Sequence, residues 1–240
     1  VDIPQACAGY VVGLMQSFML LEHMEGKKVL LCTGETFCRG NKEKQEPPYY
    51  RAPFGGDAAN ITIVENAGNE KVYYEFHQDG SQRKCLVIPD GAFRNPMTVE
   101  QIQNQIVRMP LTGVVMDGST VFNFAQKEVP ILVDSLTKMA ETTKEDIDWF
   151  LFHQPNKFML QKLAERIGVP FEKMPMDIVE KFGNSNSATI PTAITADLKE
   201  EMLNKESLCC LAGFGAGVAW AGIIMKMGNM DFCDTIISDL

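Results

Sequence analysis

The stretch from Trp149 to Asn156 reads WFLFHQPN, and it contains the change of pattern that decides the fold. Its first four residues are bulky and apolar, which is typical of a buried β-strand, and Pro155 stops that strand directly after His153. An amphipathic helix is predicted from Asn156 to Ile167, where a glycine follows. A buried strand that leads into a helix is typical of the α/β fold class.

The same order of elements occurs near the start of the chain. Residues 8–25 are apolar on nearly every face and predict a buried helix directly after Cys7, and Lys28–Thr33 predicts a buried strand. A chemically capable residue therefore precedes a helix twice, at Cys7 and at His153. This repeat favours a duplicated α/β architecture in which both residues lie at junctions that face one cleft.

Other segments extend the alternation of strands and helices. Short strands are predicted at 59–64, 72–76 and 85–88, helices at 118–139 (with a kink at Pro130) and 187–202, and a polar loop at 34–51. Residues 208–225 carry no charge and reach the lower length limit for a membrane span. Because four glycines interrupt this segment, two buried strands joined through Gly213–Gly217 fit it better, with a membrane helix as the alternative.

Composition limits the class of protein. The 240 residues are 45% hydrophobic, which predicts one large or two small globular domains, and the net charge of −9 argues against a nucleic-acid partner. The seven cysteines form neither a C-x-x-C pair nor a zinc spacing, so we interpret them as reduced thiols of a cytoplasmic protein and expect no metal.

Three residues are candidates for chemistry. Cys7 lies at a predicted helix start, where backbone N–H groups and the helix dipole lower a thiol pKa and favour a nucleophile. His153 can exchange a proton near neutral pH. Asn184, between a predicted strand and a helix, can donate a hydrogen bond to negative charge. The structural alternatives are a small buried side chain for Cys7, a helix cap for His153 and an ordinary turn for Asn184.

The glycine-rich segment Gly213–Gly217 resembles a dinucleotide loop only superficially, because a strand rather than a helix follows it. A tight turn whose backbone N–H groups face an oxyanion is the functional interpretation, and a simple strand bend is the alternative.

Taken together, these segments resemble the β-ketoacyl-acyl carrier protein synthase III family of thiolase-fold condensing enzymes. The likeness covers residues 1 to about 226. The matching motifs occur in the family's order and are ACAG at 6–9, RAPFGGDA at 51–58, DGS at 79–81, MDGSTVF at 116–122, HQPN at 153–156, GNSNSA at 183–188 and GFGAG at 213–217.

The resemblance implies a five-layer α/β/α/β/α thiolase fold with duplicated halves. The expected divisions are residues 1–109 for an incomplete first half, 110–226 for the second half and 227–240 for a tail. It also implies that Cys7, His153 and Asn184 form the catalytic set. The acyl group of an acyl-CoA or acyl-ACP passes to Cys7, and a malonyl thioester then condenses with it after losing carbon dioxide, a step of fatty acid biosynthesis.

Further site residues follow from the same likeness. The backbone N–H groups of Cys7, Gly215 and Ala216 would bind the oxyanion. The expected substrate-binding residues are Arg51, Phe54, Asn156 and Phe214. The expected docking residues for an acidic acyl carrier protein are Lys157, Lys162 and Arg166. No cofactor is expected beyond pantetheine-bearing substrates.

The family's chains begin well before the nucleophile, so the resemblance predicts a leading segment or companion chain, and a homodimer. Two other functions stay open. An acyltransferase to an alcohol or amine would use the same three residues, and a non-catalytic partner subunit of a condensing complex is possible, although such subunits usually lose one of them.

Overall fold

The computed structural model describes most of the chain. The described residues are 1–36, 55–66, 70–89, 93, 95, 96, 98–100, 103 and 115–238. Two predicted substrate-binding residues, Arg51 and Phe54, lie outside them, as does the predicted loop beyond residue 36.

Within the described ranges, six α-helices and eight strands with defined bounds position the site. The helices are α1 (Gly9–Leu21), α2 (Gly118–Met139), α3 (Lys157–Ile167), α4 (Ile178–Phe182), α5 (Thr189–Asp197) and α6 (Lys199–Asn204). The strands are β1 (Lys28–Thr36), β2 (Asp57–Glu65), β3 (Tyr73–Gln78), β4 (Leu86–Val87), β5 (Val115–Met116), β6 (Trp149–Phe152), β7 (Ser207–Gly215) and β8 (Ala219–Met227).

The described strands form one four-stranded sheet and two pairs. The larger sheet has the order β3-β8-β7-β6, with β6 parallel to β7 and the other pairings antiparallel. β1 pairs with β2, and β4 pairs with β5, both antiparallel. β3 belongs to the predicted first half of the chain, but it hydrogen-bonds to β8 of the predicted second half. The domain boundaries at residues 109 and 226 stay a prediction.

The elements stack in layers because successive side chains of a strand point to opposite faces. Phe150 and Phe152 of β6 pack into one core with α2 and α3. Leu151, between them, packs into a second core with α1, α5, β1 and β2. The described residues therefore form four layers in the order helix, sheet, helix, sheet, with α1 and α5 between the two sheets.

The β1–β2 pair has one buried and one exposed face. Leu31 and Val64 are buried against α1, whereas Leu30 is 62% exposed and Ile61 is 65% exposed. β1 confirms the strand predicted at 28–33, but the predicted burial is wrong. An unbroken apolar sequence predicts burial on both faces, but the described residues cover only one.

Several predicted elements are confirmed. The helix at 118–139 and the strand at 149–152 have the predicted bounds, and the uncharged segment forms the hairpin of β7 and β8. No helix in the described residues is both long and apolar enough to cross a membrane. The helix predicted at 187–202 is divided: a 3-10 turn at Asn186–Ala188 leads into α5, and Leu198 separates α5 from α6.

Candidate active site

Cys7 lies where the chain enters α1. A 3-10 turn at Ala6–Ala8 leads directly into the helix, as the sequence predicts, and the turn packs on β7. A Cβ atom added at Gly215 would lie 2.8 Å from the Cys7 Sγ, so only a glycine leaves room for the sulfur. The N–H groups of Cys7 and Ala216 both act on the sulfur as hydrogen-bond donors. Two of the three predicted oxyanion donors therefore lie at the nucleophile.

The environment of the thiol differs from the prediction. Burial raises the pKa of the Cys7 thiol to about 12, the nearby Glu35 carboxylate acts in the same direction, and the two N–H groups only partly offset these effects. The predicted low thiol pKa is therefore wrong for this protein without substrate. A helix start favours a thiolate, but losing nearly all contact with water disfavours it more strongly.

His153 follows the last residue of β6, and its N–H continues the β6–β7 pairing to the Ala212 carbonyl at 2.8 Å. The imidazole is 2% exposed and lies edge-on to Phe214, with ring centroids 5.6 Å apart. Burial lowers the pKa of His153 to about 4, although the nearby Asn186 carbonyl acts in the opposite direction. The ring is therefore neutral at pH 7.

The hydrogen bonds around Thr189 assign the proton on His153. The Thr189 hydroxyl donates to the Asn186 carbonyl at 2.8 Å and accepts from the Gln154 N–H at 3.2 Å. Because its one hydrogen is used, it must accept from Nδ1 of His153, which lies 2.8 Å away. Nδ1 therefore carries the hydrogen and Nε2 carries the lone pair, so the resting ring cannot donate from Nε2.

Asn184 lies in the segment between α4 and the turn before α5, so the prediction of a preceding strand is wrong: five residues of helix precede it. Its backbone forms a bridge to Gly55, and its carbonyl accepts from the Gly56 N–H at 3.0 Å. A Cβ at Gly183 would lie 2.2 Å from the Gly55 carbonyl oxygen, so this close backbone contact requires glycine. The contact holds Asn184 in place.

Asn186 links the three predicted residues, and sequence reasoning missed it. The Cys7 thiol donates to Oδ1 of Asn186 at 3.3 Å, and the backbone N–H of Asn186 donates to Oδ1 of Asn184 at 2.9 Å. Its carbonyl accepts from Thr189, which in turn accepts from His153. The residue has a φ of 47°, a left-handed conformation that asparagine tolerates better than most residues. Cys7, His153 and Asn184 thus share one hydrogen-bond network.

The remaining predicted substrate residues are less directly placed. Phe214 is buried against His153, and Asn156 accepts the Met159 N–H at 2.8 Å as the N-cap of α3. A cavity of about 570 Å³ runs beside α1 and β1. Its lining includes neighbours of the nucleophile, Ala6 and Ser187.

The predicted docking residues are partly paired with acids. Lys157 lies 2.7 Å from Asp177 and 3.5 Å from Glu180, and Lys162 lies 2.6 Å from Glu165. These contacts reduce the positive charge of the surface, so docking through it, with Arg166, stays a prediction. In the part of the chain that is described, no cluster of three histidine, cysteine or acidic side chains can hold a metal ion.

Comparisons with known proteins identify the class. Residues 137–227 match the family described as 3-oxoacyl-[acyl-carrier-protein] synthase III C terminal. The beta-ketoacyl-[acyl-carrier-protein] synthase III of Synechocystis sp. is 30% identical over 225 residues, which are 94% of this chain and 66% of the relative.

Solved structures agree. The 3-oxoacyl-(acyl-carrier protein) synthase from Burkholderia xenovorans has a TM-score of 0.82 and 31% identity, over 97% of this chain and 65% of that chain. The synthase III of Thermus thermophilus, 23% identical with a TM-score of 0.75, shares the fold. The chain spans just under two thirds of the length of the Synechocystis and Burkholderia relatives.

The four stacked layers, with Cys7 at the start of α1 and His153 between β6 and α3, define a thiolase-like fold. The chain belongs to the β-ketoacyl-[acyl-carrier-protein] synthase III family.

Proposed function

We propose that the protein is a condensing enzyme that transfers an acyl group from an acyl-CoA or acyl-ACP to Cys7 and then condenses it with a malonyl thioester. The observation that carries this proposal is the buried Cys7 sulfur beside two backbone N–H donors and in one network with His153 and Asn184. A sulfur nucleophile with an oxyanion site suits transfer from one thioester to another.

In the first half-reaction the Cys7 sulfur attacks the acyl carbonyl, and its proton passes to Nε2 of His153. The N–H groups of Cys7 and Ala216 stabilise the oxyanion. Because the Cys7 thiol pKa is about 12 and that of His153 is about 4, this proton moves uphill and must move as the carbon–sulfur bond forms. The leaving thiolate takes a proton from solvent, and Cys7 holds the acyl group.

In the second half-reaction the malonyl thioester loses carbon dioxide, and its thioester oxygen becomes an enolate. Asn184 donates from Nδ2, because its Oδ1 already accepts the Asn186 N–H. His153 donates from Nε2 only while it holds the proton received from Cys7, and the negative malonyl group favours that protonated form. The enolate carbon attacks the Cys7 thioester, the β-ketoacyl product leaves, and the sulfur recovers its proton.

No step of this sequence needs a metal or a redox cofactor. The substrates in the proposal are pantetheine thioesters, and the malonyl donor is carried by an acyl carrier protein, as the names of the relatives indicate. Six free cysteines in the described residues favour a reducing compartment such as the cytoplasm. The exposed apolar side chains of Leu30 and Ile61 favour association with further polypeptide, for which we propose a second copy or a leading segment.

The test is product analysis after mixing the protein with a panel of acyl-CoAs and malonyl-ACP. We expect β-ketoacyl-ACP and one equivalent of carbon dioxide, both abolished in Cys7→Ala and retained in Cys32→Ala, whose thiol is exposed. Acyl transfer to an added alcohol or amine without loss of carbon dioxide would replace the proposal by the acyltransferase. No acylation with any donor would favour the partner subunit.

A further inference from the structure

Asn186 presents an oxygen, not a nitrogen, to Cys7. The thiol donates its single hydrogen to Oδ1 at 3.3 Å, so the Nδ2 group of the same amide must point elsewhere. A thiol that donates to an oxygen keeps its proton, whereas Nδ2 in the same place would donate to the sulfur and favour the thiolate. The orientation of this amide therefore affects the acidity of the nucleophile.

The group that receives Nδ2 is Glu35 of β1. Its carboxylate interacts with the Asn186 side chain, because β1 packs against the turn that carries Asn186. Glu35 is half-buried and lines the cavity beside Ala6 and Ser187. An ionised carboxylate only accepts hydrogen bonds, so it binds Nδ2 and excludes the flipped amide. Burial raises the pKa of this carboxyl, and the hydrogen bond from Asn186 partly offsets that effect.

We propose that Glu35 is a positioning residue that holds the Asn186 amide with Oδ1 toward Cys7, and thereby keeps the nucleophile protonated until substrate arrives. This inference rests on the proposed function for its purpose but not for its geometry. Glu35 acts through Asn186 and also directly, since its negative charge opposes a second negative charge on the sulfur. Both effects favour the thiol.

The test is the pH profile of Cys7 alkylation by iodoacetamide, followed by peptide mass spectrometry, in the wild type and in Glu35→Gln. Glutamine has the same shape, carries no charge and can either donate or accept, so the amide is free to turn. We expect the rate of Cys7 alkylation at pH 7.5 to rise about tenfold in Glu35→Gln, and its pH profile to move to lower pH. The reason is that a charge-assisted hydrogen bond from Nδ2 to the thiolate replaces the repulsion by the Glu35 carboxylate.

Three controls separate positioning from a general structural effect. Glu65→Gln removes a carboxylate from the same two-stranded sheet, and its Cys7 profile should match the wild type. The exposed Cys32 on β1 reports any opening of the strand, so its alkylation rate in Glu35→Gln should differ less than twofold from that in the wild type. Asn186→Gly removes the amide at a position where glycine readily adopts the observed φ. Adding Glu35→Gln to this variant should change the rate of Cys7 alkylation less than threefold.

The inference is overturned by an unchanged Cys7 profile in Glu35→Gln, or by the full tenfold effect in the Asn186→Gly background. If Glu35→Gln does not fold, Glu35→Asp gives the second test: the shorter side chain withdraws from Asn186, and the rate should rise by a smaller factor. Alkylation needs no acyl substrate. If the wild type catalyses condensation but the alkylation profile of Glu35→Gln is unshifted, only this inference is refuted. If the profile is shifted but the wild type does not catalyse condensation, only the proposed function is refuted.

Discussion

The packing of Gly215 against Cys7 provides a sharp test of how the site is built. In Gly215→Ala the new Cβ would lie 2.8 Å from both the Cβ and the Sγ of Cys7, about 0.6 Å short of ordinary van der Waals contact, which begins near 3.4 Å. The backbone at Gly215 is paired with Ala219 of β8 and resists movement, so the sulfur must move instead. A displacement approaching 1 Å typically costs about 100-fold in rate.

We therefore expect the rate of Cys7 acylation in Gly215→Ala to fall about 100-fold, with a loss of folding free energy of about 1–3 kcal/mol from overpacking. The assay is stopped-flow release of CoA from an acyl-CoA, with urea unfolding followed in parallel. Gly118→Ala is the matched control, since a Cβ at Gly118 meets nothing within 4 Å and the site should be unaffected. Acylation within threefold of the wild type in folded Gly215→Ala would refute the packing argument.

Further predictions concern the proton network and the docking surface. Unfolded His153 takes up a proton below pH 6.5, and the folded protein only near pH 4, so stability should fall by about 3 kcal/mol between these values as pH decreases. Urea titrations at a series of pH values should find that this contribution is missing in His153→Asn. An equal dependence of the unfolding free energy on pH in both proteins would contradict it. Thr189→Val leaves the Nδ1–H of His153 and the N–H of Gln154 without an acceptor, so urea unfolding should record a loss of about 1–3 kcal/mol for each, with slower condensation. Thr189→Ser should restore both, and a fully active Thr189→Val would refute the tautomer assignment. Asp177→Asn frees Lys157 from its closest acid, so malonyl-ACP should have a lower KM at low salt and an unchanged one at high salt. An unchanged KM at both salt concentrations would place docking elsewhere.

The elements that carry the nucleophile and the histidine could be predicted from the sequence. The structure places His153 between β6 and α3, as predicted, and Cys7 directly before α1, although residues 1–5 form no strand before it. The helix before Asn184 was missed because α4 has five residues, too few to establish a period.

The contacts between these elements could not be predicted. Asn186 and Cys7 are 179 positions apart, and Glu35 reaches them only because β1 lies beside the turn before α5. The pKa of the thiol depends on the water removed by every element packed around it, which no local pattern records. The exposed face of β1 was mispredicted for a similar reason, since an apolar sequence indicates what a strand can bury rather than what covers it.

The proposed function of this site depends on Cys7 accepting an acyl group. The most direct measurement is the intact mass of the protein after brief exposure to an acyl-CoA without malonyl-ACP, with peptide mapping of the modified residue. The account predicts a mass increase of one acyl group, located on Cys7 and discharged when malonyl-ACP is added. Stable modification of a different cysteine, with Cys7 left as a free thiol, would contradict it.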